Sequence, residues 1–274
     1  MKTVLITGNK GFIGSYIEAS LKTQYNIIGL ARNDGFDITD FSSLKNIGKS
    51  GEKVDIIIHA AAVASDDYEY SFISNVIGTL NLCKYANEQG VKHFVLLSTI
   101  FAIEEEDNDY FNTYGQTKKM SEDVAMAYCK EHGITLTILR LAQVYDDARL
   151  AQKGQAMLYY FLDNIKQKSE ICLFGRSNPL RNYIHIDYFC NVLKEILAEK
   201  RVMTWNILEE KNHSITEIAY MLFDILKKQP NITYLREKEN IPSVHIPNTN
   251  IYKSATISSI SLYEGLKRIL NHDK

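Results

Sequence analysis

The sequence predicts an α/β protein with a Rossmann-type, doubly wound parallel sheet and a smaller C-terminal α/β lobe. The first half alternates short apolar runs with segments of helical periodicity, which is typical of a parallel sheet with crossover helices. The runs carry few polar residues, as expected of strands that are buried on both faces. A glycine-rich loop, Thr7–Gly14 (TGNKGFIG), joins the first run to the first helical segment, as in folds that bind dinucleotides.

The predicted elements follow one another closely along the chain. In the first half we predict strands and helices in this order: Lys2–Thr7 (strand), Phe12–Lys22 (helix), Tyr25–Ala31 (strand), Val54–His59 (strand), Tyr70–Glu88 (helix), Val91–Ser98 (strand), Tyr114–Glu131 (helix) and Ile134–Leu141 (strand). The second half is less regular, with helices predicted at Gln155–Lys166, Tyr188–Lys200 and Ser214–Lys227 and extended segments at Glu170–Leu173 and Val202–Ile207.

The domain organisation follows from length and from the lack of linkers. A chain of 274 residues is long enough for one large domain with a smaller one appended. No repeat and no Pro/Gly-rich linker separates the halves, so the two parts must pack closely. We predict a dinucleotide-binding domain over residues 1–165, with a return segment near 182–208. A small substrate-binding lobe over residues 166–274 is expected to be interleaved with it.

Composition and charge exclude several classes of function. The net charge is −2, so no basic field favours nucleic acid or an anionic membrane. No apolar run approaches the ~20 residues of a membrane span, and the N-terminal segment does not resemble a signal peptide. The four cysteines are scattered without a CxxC pair, which is typical of reduced thiols in a cytoplasmic protein. The seven histidines lack ligand spacing, so no metal site is predicted.

The glycine loop is the first candidate binding site. Its backbone can approach a pyrophosphate, and the helix that follows offers unpaired N–H groups and a partial positive charge. The alternative is a strand–helix turn with packing glycines. Two later features favour a nucleotide: Asp37 could accept the adenine amino group, and small residues close the third strand. The predicted cofactor contacts are Gly8, Lys10, Gly11, Phe12, Ile13, Gly14, Arg32, Asp37, Ile38, Ala60, Ala61 and Ala62.

The charge after the second strand bears on the choice of cofactor. NAD-binding folds usually carry an acidic residue there to take the ribose hydroxyls. Here the position is Ala31, Arg32 follows it, and Lys10 lies in the glycine loop. An arginine and a lysine suit a 2′-phosphate, so NADP(H) is the preferred cofactor. If both are only solvated surface charges, NAD(H) remains possible.

A candidate catalytic set lies on the helix after the fourth strand and at the end of that strand. Tyr114 and Lys118 are four residues apart and share a helix face. The ammonium is expected to lower the pKa of the phenol, which would then serve as an acid or base near neutral pH. Thr99 ends the strand, where its hydroxyl can hold a substrate oxygen, whereas Ser98 can turn into the core. The alternatives are a chance YxxxK spacing and strand-end hydroxyls satisfied by backbone.

Seven motifs, in this order and spacing, resemble the extended short-chain dehydrogenase/reductases, also called the NAD-dependent epimerase/dehydratase family. They are TGNKGFIG, the pair Asp37-Ile38, HAAA, NVIGTLNL, LLST, YGQTK and RLAQVY. The resemblance implies that Tyr114 is the acid/base, that Lys118 also holds the nicotinamide ribose and that Thr99 orients the reacting oxygen. Tyr114 and Lys118 therefore count as cofactor contacts as well.

The same resemblance implies substrate contacts and an assembly. In the segment GRSNPLRNYIHID, Arg181 matches an arginine that often contacts a nucleotide-sugar diphosphate, and Gln143 matches an amide near the same phosphates. Thr99 is the third implied substrate contact. Family dimers commonly form through a four-helix bundle, so a homodimer is expected. The exposed faces of the two helices concerned, with Tyr70, Phe72 and Met126, are compatible with it.

Departures from the family pattern narrow the reaction. The dehydratase branch has an Asp-Glu pair after the strand-end Thr, whereas Ile100-Phe101 stand here, so 4,6-dehydration is not expected. Ala102-Ile103-Glu104 and Asp146-Asp147 replace the usual residues of the substrate mouth. His185 and Asp187 are expected to brace the following helix.

The leading functional prediction is an NADP(H)-dependent reductase of a nucleotide-linked 4-keto-6-deoxy sugar. In it the hydride comes from nicotinamide C4, and Tyr114 donates the proton. The alternative is a nucleotide-sugar 4-epimerase with tightly bound NAD. The third is a non-catalytic NADP(H)-sensing protein, which would have little use for the set of Tyr114, Lys118 and Thr99.

Overall fold

The computed structural model describes residues 1–45, 47, 53–199 and 203–272. The strands are β1 (Thr3–Thr7), β2 (Asn26–Leu30), β3 (Ile56–His59), β4 (His93–Thr99), β5 (Thr135–Leu141), β6 (Gln143–Tyr145), β7 (Ile171–Phe174), β8 (Leu180–Arg181), β9 (Tyr183–His185), β10 (Thr204–Ile207), β11 (His213–Ser214) and β12 (Ile232–Leu235). Each strand predicted in the first half is present. The helix end predicted at Lys200 and the strand start predicted at Val202 lie outside the described residues.

The α-helices are α1 (Phe12–Leu21), α2 (Phe41–Leu44), α3 (Tyr68–Phe72), α4 (Gly78–Glu88), α5 (Thr113–Glu131), α6 (Ala156–Lys168), α7 (Ile186–Glu199), α8 (Ile215–Ile225) and α9 (Leu262–His272). A π-helical segment, Ile73–Ile77, joins α3 to α4, and short 3₁₀ turns follow β2 and β4. No helix within the described ranges is long and apolar enough to cross a membrane.

The central sheet has six parallel strands in the order β10-β5-β4-β3-β1-β2. The predicted parallel, doubly wound sheet is therefore confirmed. The chain reverses its direction of travel across the sheet between β1 and β3, which lie side by side with Thr7 opposite His59. At such a switch point the two following loops diverge, and a crevice opens outside the carboxyl ends of the strands.

Both faces of the sheet are covered, which explains the apolar strands. Alternate residues of β1 illustrate the packing: Val4 and Ile6 join one core cluster, and Leu5 joins the other. The first cluster includes side chains of α1 and α7, and the second includes side chains of α4 and α5. The sheet thus forms the middle of three layers, with a pair of helices on each face.

The smaller lobe has its own core. It consists of α6, α8 and α9 with three two-stranded sheets that pair β6 with β9, β7 with β12 and β8 with β11. A capping box starts α8, because Ser214 and Glu217 each accept the other's backbone N–H. The boundary predicted at residue 165 falls inside α6, whose residues Leu158 and Phe161 pack in the core of the lobe. That boundary stays a prediction.

Several elements differ from the sequence expectation. The helix predicted at Tyr70–Glu88 begins earlier, at Tyr68, because the Asp67 side chain caps it by accepting the Tyr70 N–H at 3.0 Å. Its π-helical interruption has no signal in the apolar periodicity. The extended segment predicted at Glu170–Leu173 corresponds to β7. The helix α9 and the other strands of the lobe were not predicted; strands of two to four residues show no measurable alternation.

Candidate active site

A cavity of about 390 Å³ opens at the β1/β3 switch point. We call it the glycine crevice. Most of the predicted cofactor contacts line it, namely Gly8, Lys10, Gly11, Arg32, Asp37, Ile38, Ala61 and Ala62, whereas Phe12, Ile13, Gly14, Ala60, Tyr114 and Lys118 are not among its lining residues. The lining also includes Leu30, Ala31, Asn33, Phe36, Val63 and Ser74. The structure therefore brings together residues from three separate loops that the sequence motifs singled out.

Glycine occupies the three positions of the loop for different structural reasons. Gly8 has a φ of +70°, and a Cβ there would lie 2.9 Å from the backbone of Ala61. At Gly14 a Cβ would lie 2.1 Å from the Gly8 carbonyl oxygen, so this residue is a packing glycine between loop and helix. Gly11 caps α1 without a side-chain hydrogen bond. The first N–H groups of α1 therefore remain available to an anion.

A buried chain of hydrogen bonds forms the floor of the glycine crevice. The Ala61 N–H donates to Thr7 Oγ1 at 3.2 Å, and Thr7 Oγ1 lies 2.8 Å from His59 Nδ1. On the other side of the ring, His59 Nε2 lies 3.0 Å from Thr79 Oγ1, which donates its own proton to the Asn75 carbonyl at 2.6 Å. Because the Thr79 proton is already used, His59 Nε2 must be the donor and Nδ1 the acceptor from Thr7.

Asn75 lies in the π-helical segment and fixes the wall of the glycine crevice. Its Oδ1 accepts the Val63 N–H at 2.8 Å, while its Nδ2 donates to the Val63 carbonyl at 2.9 Å and to Thr117 Oγ1 at 3.0 Å. The side chain thus ties the loop after β3 to α5. Sequence reasoning assigned no role to His59 or Asn75. A π-helical segment is often found at functional sites, but only the structure shows it.

The two predicted cations lie at the same mouth of the glycine crevice, and each has a partner. Lys10 pairs with Asp34, and Arg32 Nη1 donates to the Tyr70 hydroxyl at 2.8 Å. Ala31 ends the second strand with no carboxylate of its own. A lysine and an arginine thus line one mouth, as predicted, but both side chains are exposed. The choice between a 2′-phosphate site and solvated surface charges stays a prediction.

The helix α5 is placed against the end of β4 by two local features. Asn112 caps the helix by accepting the Tyr114 N–H at 3.1 Å. Gly115 allows close packing, because a Cβ there would lie 2.3 Å from the Phe101 carbonyl oxygen. Tyr114 therefore lies in the first turn of α5, with Lys118 one turn further on. The Lys118 side chain is almost fully buried, at 2% exposure.

The expected effect of Lys118 on the phenol was wrong for this structure. Burial raises the pKa of Tyr114 to about 12, and no lowering by the ammonium offsets it. Burial likewise lowers the pKa of Lys118 to about 8, although the Glu122 carboxylate opposes this change. Burial, with the nearby Lys118 charge, lowers the pKa of His59 to about 3, so this ring is neutral. Desolvation outweighs the i, i+4 charge effect because Lys118 is enclosed and Tyr114 is half-buried.

Thr99 and Ser98 face different ways at the end of β4. Thr99 Oγ1 accepts the Phe101 N–H at 3.2 Å, and no described residue takes the hydroxyl proton of Thr99. The backbone contact is the predicted alternative, yet it uses only the acceptor side of the hydroxyl. Ser98 turns inward, as expected, and its Oγ donates to Glu122 Oε1 at 2.5 Å.

Apolar side chains occupy the positions after Thr99. Ile100 is fully buried, and Phe101 stacks on Tyr110 with ring centroids 4.7 Å apart. Neither can move a proton. The geometry thus agrees with the prediction that the acid pair of a dehydratase is missing here.

Arg181 is enclosed between the sheet domain and the lobe. It is 1% exposed, its Nη1 donates to the Leu180 carbonyl at 2.9 Å, and its Nη2 donates to the Pro242 carbonyl at 2.6 Å. The guanidinium also lies 5.7 Å from the centre of the Tyr110 ring. These contacts make Arg181 a strut between chain segments, and its contact with a diphosphate stays a prediction.

Gln143 has one engaged end and one free end. Its Nε2 donates to Gln155 Oε1 at 3.1 Å and to the Tyr183 hydroxyl at 3.3 Å. Its Oε1 is buried and has no hydrogen-bond partner among the described residues. Such an atom is costly unless something donates to it. A substrate contact at Gln143 stays a prediction that this free acceptor favours.

The segment before α7 brings Asp147, His185 and Asp187 together, with a potential ligand atom of each within 4.8 Å of the others. His185 Nε2 lies 3.0 Å from Asp147 Oδ1, and the Asp187 N–H donates to His185 Nδ1 at 3.2 Å. Both ring nitrogens therefore have protein partners, in keeping with the expected bracing of the helix. The prediction that the protein binds no metal stays a prediction.

Comparisons with known proteins agree with this geometry. The model of the NAD dependent epimerase/dehydratase family matches residues 4–207. A UDP-glucuronate 4-epimerase of Thermodesulfobacterium geofontis is 27% identical, over 98% of this chain and 95% of its own. The UDP-glucose 4-epimerase of Thermotoga maritima, solved with UDP-glucose, has a TM-score of 0.79 at 23% identity, covering 99% of this chain and 98% of that one.

A reductase shares the fold equally well. The GDP-mannoheptose C4 reductase of Campylobacter jejuni, solved with NADP bound, also has a TM-score of 0.79, at 15% identity over 99% of this chain and 98% of that one. At these identities the two solved structures show a common fold. Similarity of the fold alone therefore does not separate epimerases from reductases.

Proposed function

Because the chain belongs to the NAD-dependent epimerase/dehydratase family, we propose that it is an NADP(H)-dependent reductase of a nucleotide-linked 4-keto-6-deoxy sugar. The observation that carries the proposal is the mouth of the glycine crevice. There Ala31 replaces the usual acid, and Arg32 and Lys10 lie together. Two cations at the mouth, with Ala31 in place of the usual acid and Asp34 paired to Lys10, match a 2′-phosphate, which NADP(H) carries and NAD(H) lacks.

The shape of the glycine crevice fits a dinucleotide. Side chains at Gly8 or Gly14 would collide with backbone, and the N–H groups at the start of α1 are free to bind a pyrophosphate. The residues proposed to hold the cofactor are the predicted set: Gly8, Lys10, Gly11, Phe12, Ile13, Gly14, Arg32, Asp37, Ile38, Ala60, Ala61, Ala62, Tyr114 and Lys118. When bound, the reduced cofactor supplies a hydride to the carbonyl carbon.

The chain's own residues are proposed to handle the proton and the orientation. The Tyr114 hydroxyl, whose pKa of about 12 keeps it protonated, donates its proton to the developing alkoxide. The Thr99 hydroxyl donates a hydrogen bond to the substrate oxygen and so orients it toward Tyr114. The Lys118 ammonium stabilises the phenolate left behind and hydrogen-bonds the ribose. Gln143 is proposed to face the nucleotide sugar through its free Oε1. A contact of Arg181 with the diphosphate is the sequence-based prediction that the KM of Arg181→Lys tests.

A 4-epimerase is the second candidate, and one observation favours it. Lys10 pairs with Asp34 and Arg32 donates to Tyr70, so both cations have partners without the 2′-phosphate that NAD lacks. The same Tyr114, Lys118 and Thr99 would serve, because an epimerase returns the hydride to the opposite face. Such an enzyme must retain its cofactor through turnover. A 4,6-dehydratase is disfavoured, since Ile100 and Phe101 cannot exchange protons.

The deciding experiment is mass spectrometry of the small molecules that denaturation releases from freshly purified protein. An empty site, or one holding NADP(H), is the expected result, followed by oxidation of NADPH when 4-keto sugar nucleotides are added. Stoichiometric NAD, with no net oxidation of cofactor, would instead establish the epimerase. We propose a cytoplasmic homodimer for either enzyme. The exposed Tyr70 and Met126 on the α3 and α5 surfaces favour that assembly.

A further inference from the structure

Behind the proposed catalytic groups lies a buried acid, Glu122, which no motif singled out. It is fully buried on α5, one turn beyond Lys118. Arg140 of β5 donates to both of its oxygens, with Nε 2.9 Å from Oε1 and Nη2 2.5 Å from Oε2. The hydroxyl of Ser98 donates to Oε1 as well. One carboxylate therefore collects three donor atoms from two neighbouring strands.

The position of this carboxylate links the separate parts of the site. Ser98 and Arg140 lie opposite each other in the pairing of β4 with β5, and Ser98 directly precedes Thr99. Glu122 is on the helix that carries Tyr114 and Lys118. The hydrogen bonds of Glu122 thus fix the distance between the helix of the acid/base pair and the strand end that carries Thr99. A reaction of this kind needs those groups held to within a fraction of an ångström.

Glu122 also matters to the charge of Lys118. The ammonium is enclosed, and its charge acts on His59 of β3, whose ring is neutral. The Tyr114 phenol, one turn earlier on α5, is protonated, and Arg140 of β5 pairs with Glu122. Glu122, at i+4 on the same helix, is the anion beside it among the described residues. An enclosed ammonium without a counter-charge loses its proton more easily.

We propose that Glu122 is a positioning residue, which keeps Lys118 charged and locks α5 to the end of β4 through Arg140 and Ser98. It touches neither substrate nor cofactor and acts through Lys118 and Thr99. The inference rests on the proposed function for its catalytic consequence. Its effect on Lys118 is a property of the folded protein and can be measured without any substrate.

The test compares Glu122→Gln with Asp123→Asn. Both variants replace a carboxylate of α5 with an amide, but Asp123 is exposed and pairs with Lys119 on the surface. The lysines are labelled with ¹³C at Cε, the Lys118 signal is assigned with Lys118→Met, and its titration is followed by NMR. We expect the pKa of Lys118 to fall by about one unit in Glu122→Gln and to stay unchanged in Asp123→Asn.

Activity gives the second readout. Activity is measured with a 4-keto sugar nucleotide and NADPH. In Glu122→Gln, the pH above which kcat declines is expected to shift down together with the pKa of Lys118. The variant Glu122→Asp, which keeps the charge, should restore the pH profile but not the full rate. Equal Lys118 titrations in the wild type and Glu122→Gln would overturn the charge role. Equal pH profiles for the Gln and Asp variants would reduce Glu122 to a structural group.

The role of Glu122 can be decided even if the proposed function fails or the Glu122→Gln variant does not fold. If no keto sugar is turned over, the reductase proposal fails while the Lys118 titration still decides the role of Glu122. If Glu122→Gln does not fold, Ser98→Ala replaces it, because this variant keeps the charge and removes only the link to β4. We then expect a lower kcat at an unchanged Lys118 pKa, and an unchanged kcat would overturn the positioning role.

Discussion

The glycine crevice and the junction with the smaller lobe are stabilised by opposite arrangements of polar groups. In the crevice, buried hydrogen bonds run behind the surface, from Thr7 through His59 to Thr79, and leave backbone N–H groups facing the opening. At the lobe junction, Arg181 donates one N–H to the carbonyl of Leu180 before it and one to the carbonyl of Pro242 in a distant segment. The crevice is thus built in advance for an anion, whereas the lobe junction is built first for cohesion.

The largest expected effect is the loss of kcat when Tyr114 is replaced. Tyr114→Phe removes the proposed proton donor and keeps the ring that packs the site. We expect kcat to fall about 10²–10⁴-fold, since this is the range of general acid catalysis. The dissociation constant of NADPH, measured by fluorescence titration, should rise far less than kcat falls, because Tyr114 is one of many proposed cofactor contacts. Full retention of turnover would show that the preformed crevice serves binding without catalysis.

A smaller effect is expected from the mouth of the crevice. Arg32→Ala should weaken NADPH about 10- to 100-fold, the equivalent of a charged hydrogen bond, and leave NADH unchanged. Tyr70→Phe is the matched control, because it keeps the ring and removes only the hydroxyl that Arg32 contacts. Isothermal titration with both cofactors measures the ratio. Equal losses for NADH and NADPH would remove the case for a 2′-phosphate.

A methyl group added to the glycine loop should destabilise the protein more than one added near the lobe. In Gly14→Ala the new methyl group meets the Gly8 carbonyl, so we expect about 1–3 kcal/mol of lost stability together with weaker cofactor binding. Gly154→Ala, near the lobe, is the control, since its nearest neighbour is the Ala151 carbonyl at 3.7 Å. Urea unfolding measures both. If Gly154→Ala lost as much unfolding free energy as Gly14→Ala, the glycine loop would be packed no more tightly than the surface near the lobe.

The smallest expected effect lies at the lobe junction. Arg181→Lys cannot keep both carbonyl contacts, so we expect a loss of about 1 kcal/mol in unfolding free energy. The KM for the nucleotide sugar should stay the same, because the guanidinium is already engaged. A KM that rises about tenfold at unchanged stability would return Arg181 to the diphosphate and erase the difference between the two regions.

The sequence predicted the crevice better than the lobe for a physical reason. Strands buried on both faces are apolar throughout, and a glycine loop is specified by consecutive residues, so β1, β3 and the Thr7–Gly14 motif are visible locally. The lobe pairs strands of two to four residues across long stretches of chain, as His213 pairs with Arg181. No local pattern encodes such a pairing.

The catalytic groups show the same limit. The spacing of Tyr114 and Lys118 was visible, but the enclosure that raises the pKa of Tyr114 was not. Glu122 depends on the register that sets Ser98 opposite Arg140, which follows from how β4 and β5 pair rather than from either segment alone.

The neutral ring of His59 makes the fold sensitive to acid. A histidine in the unfolded chain binds a proton below about pH 6.5, whereas His59 in the folded protein refuses it until about pH 3. Between these values the unfolded chain binds more protons than the folded one. The free energy of unfolding therefore falls on acidification, by roughly 1.4 kcal/mol per pH unit. His93, with a pKa lowered to about 4 by burial, adds to the effect. The urea midpoint should therefore drop between pH 6.5 and 5, and less steeply in His59→Asn. The hydrogen-bond chain behind the crevice thus ties the stability of the fold to an uncharged histidine.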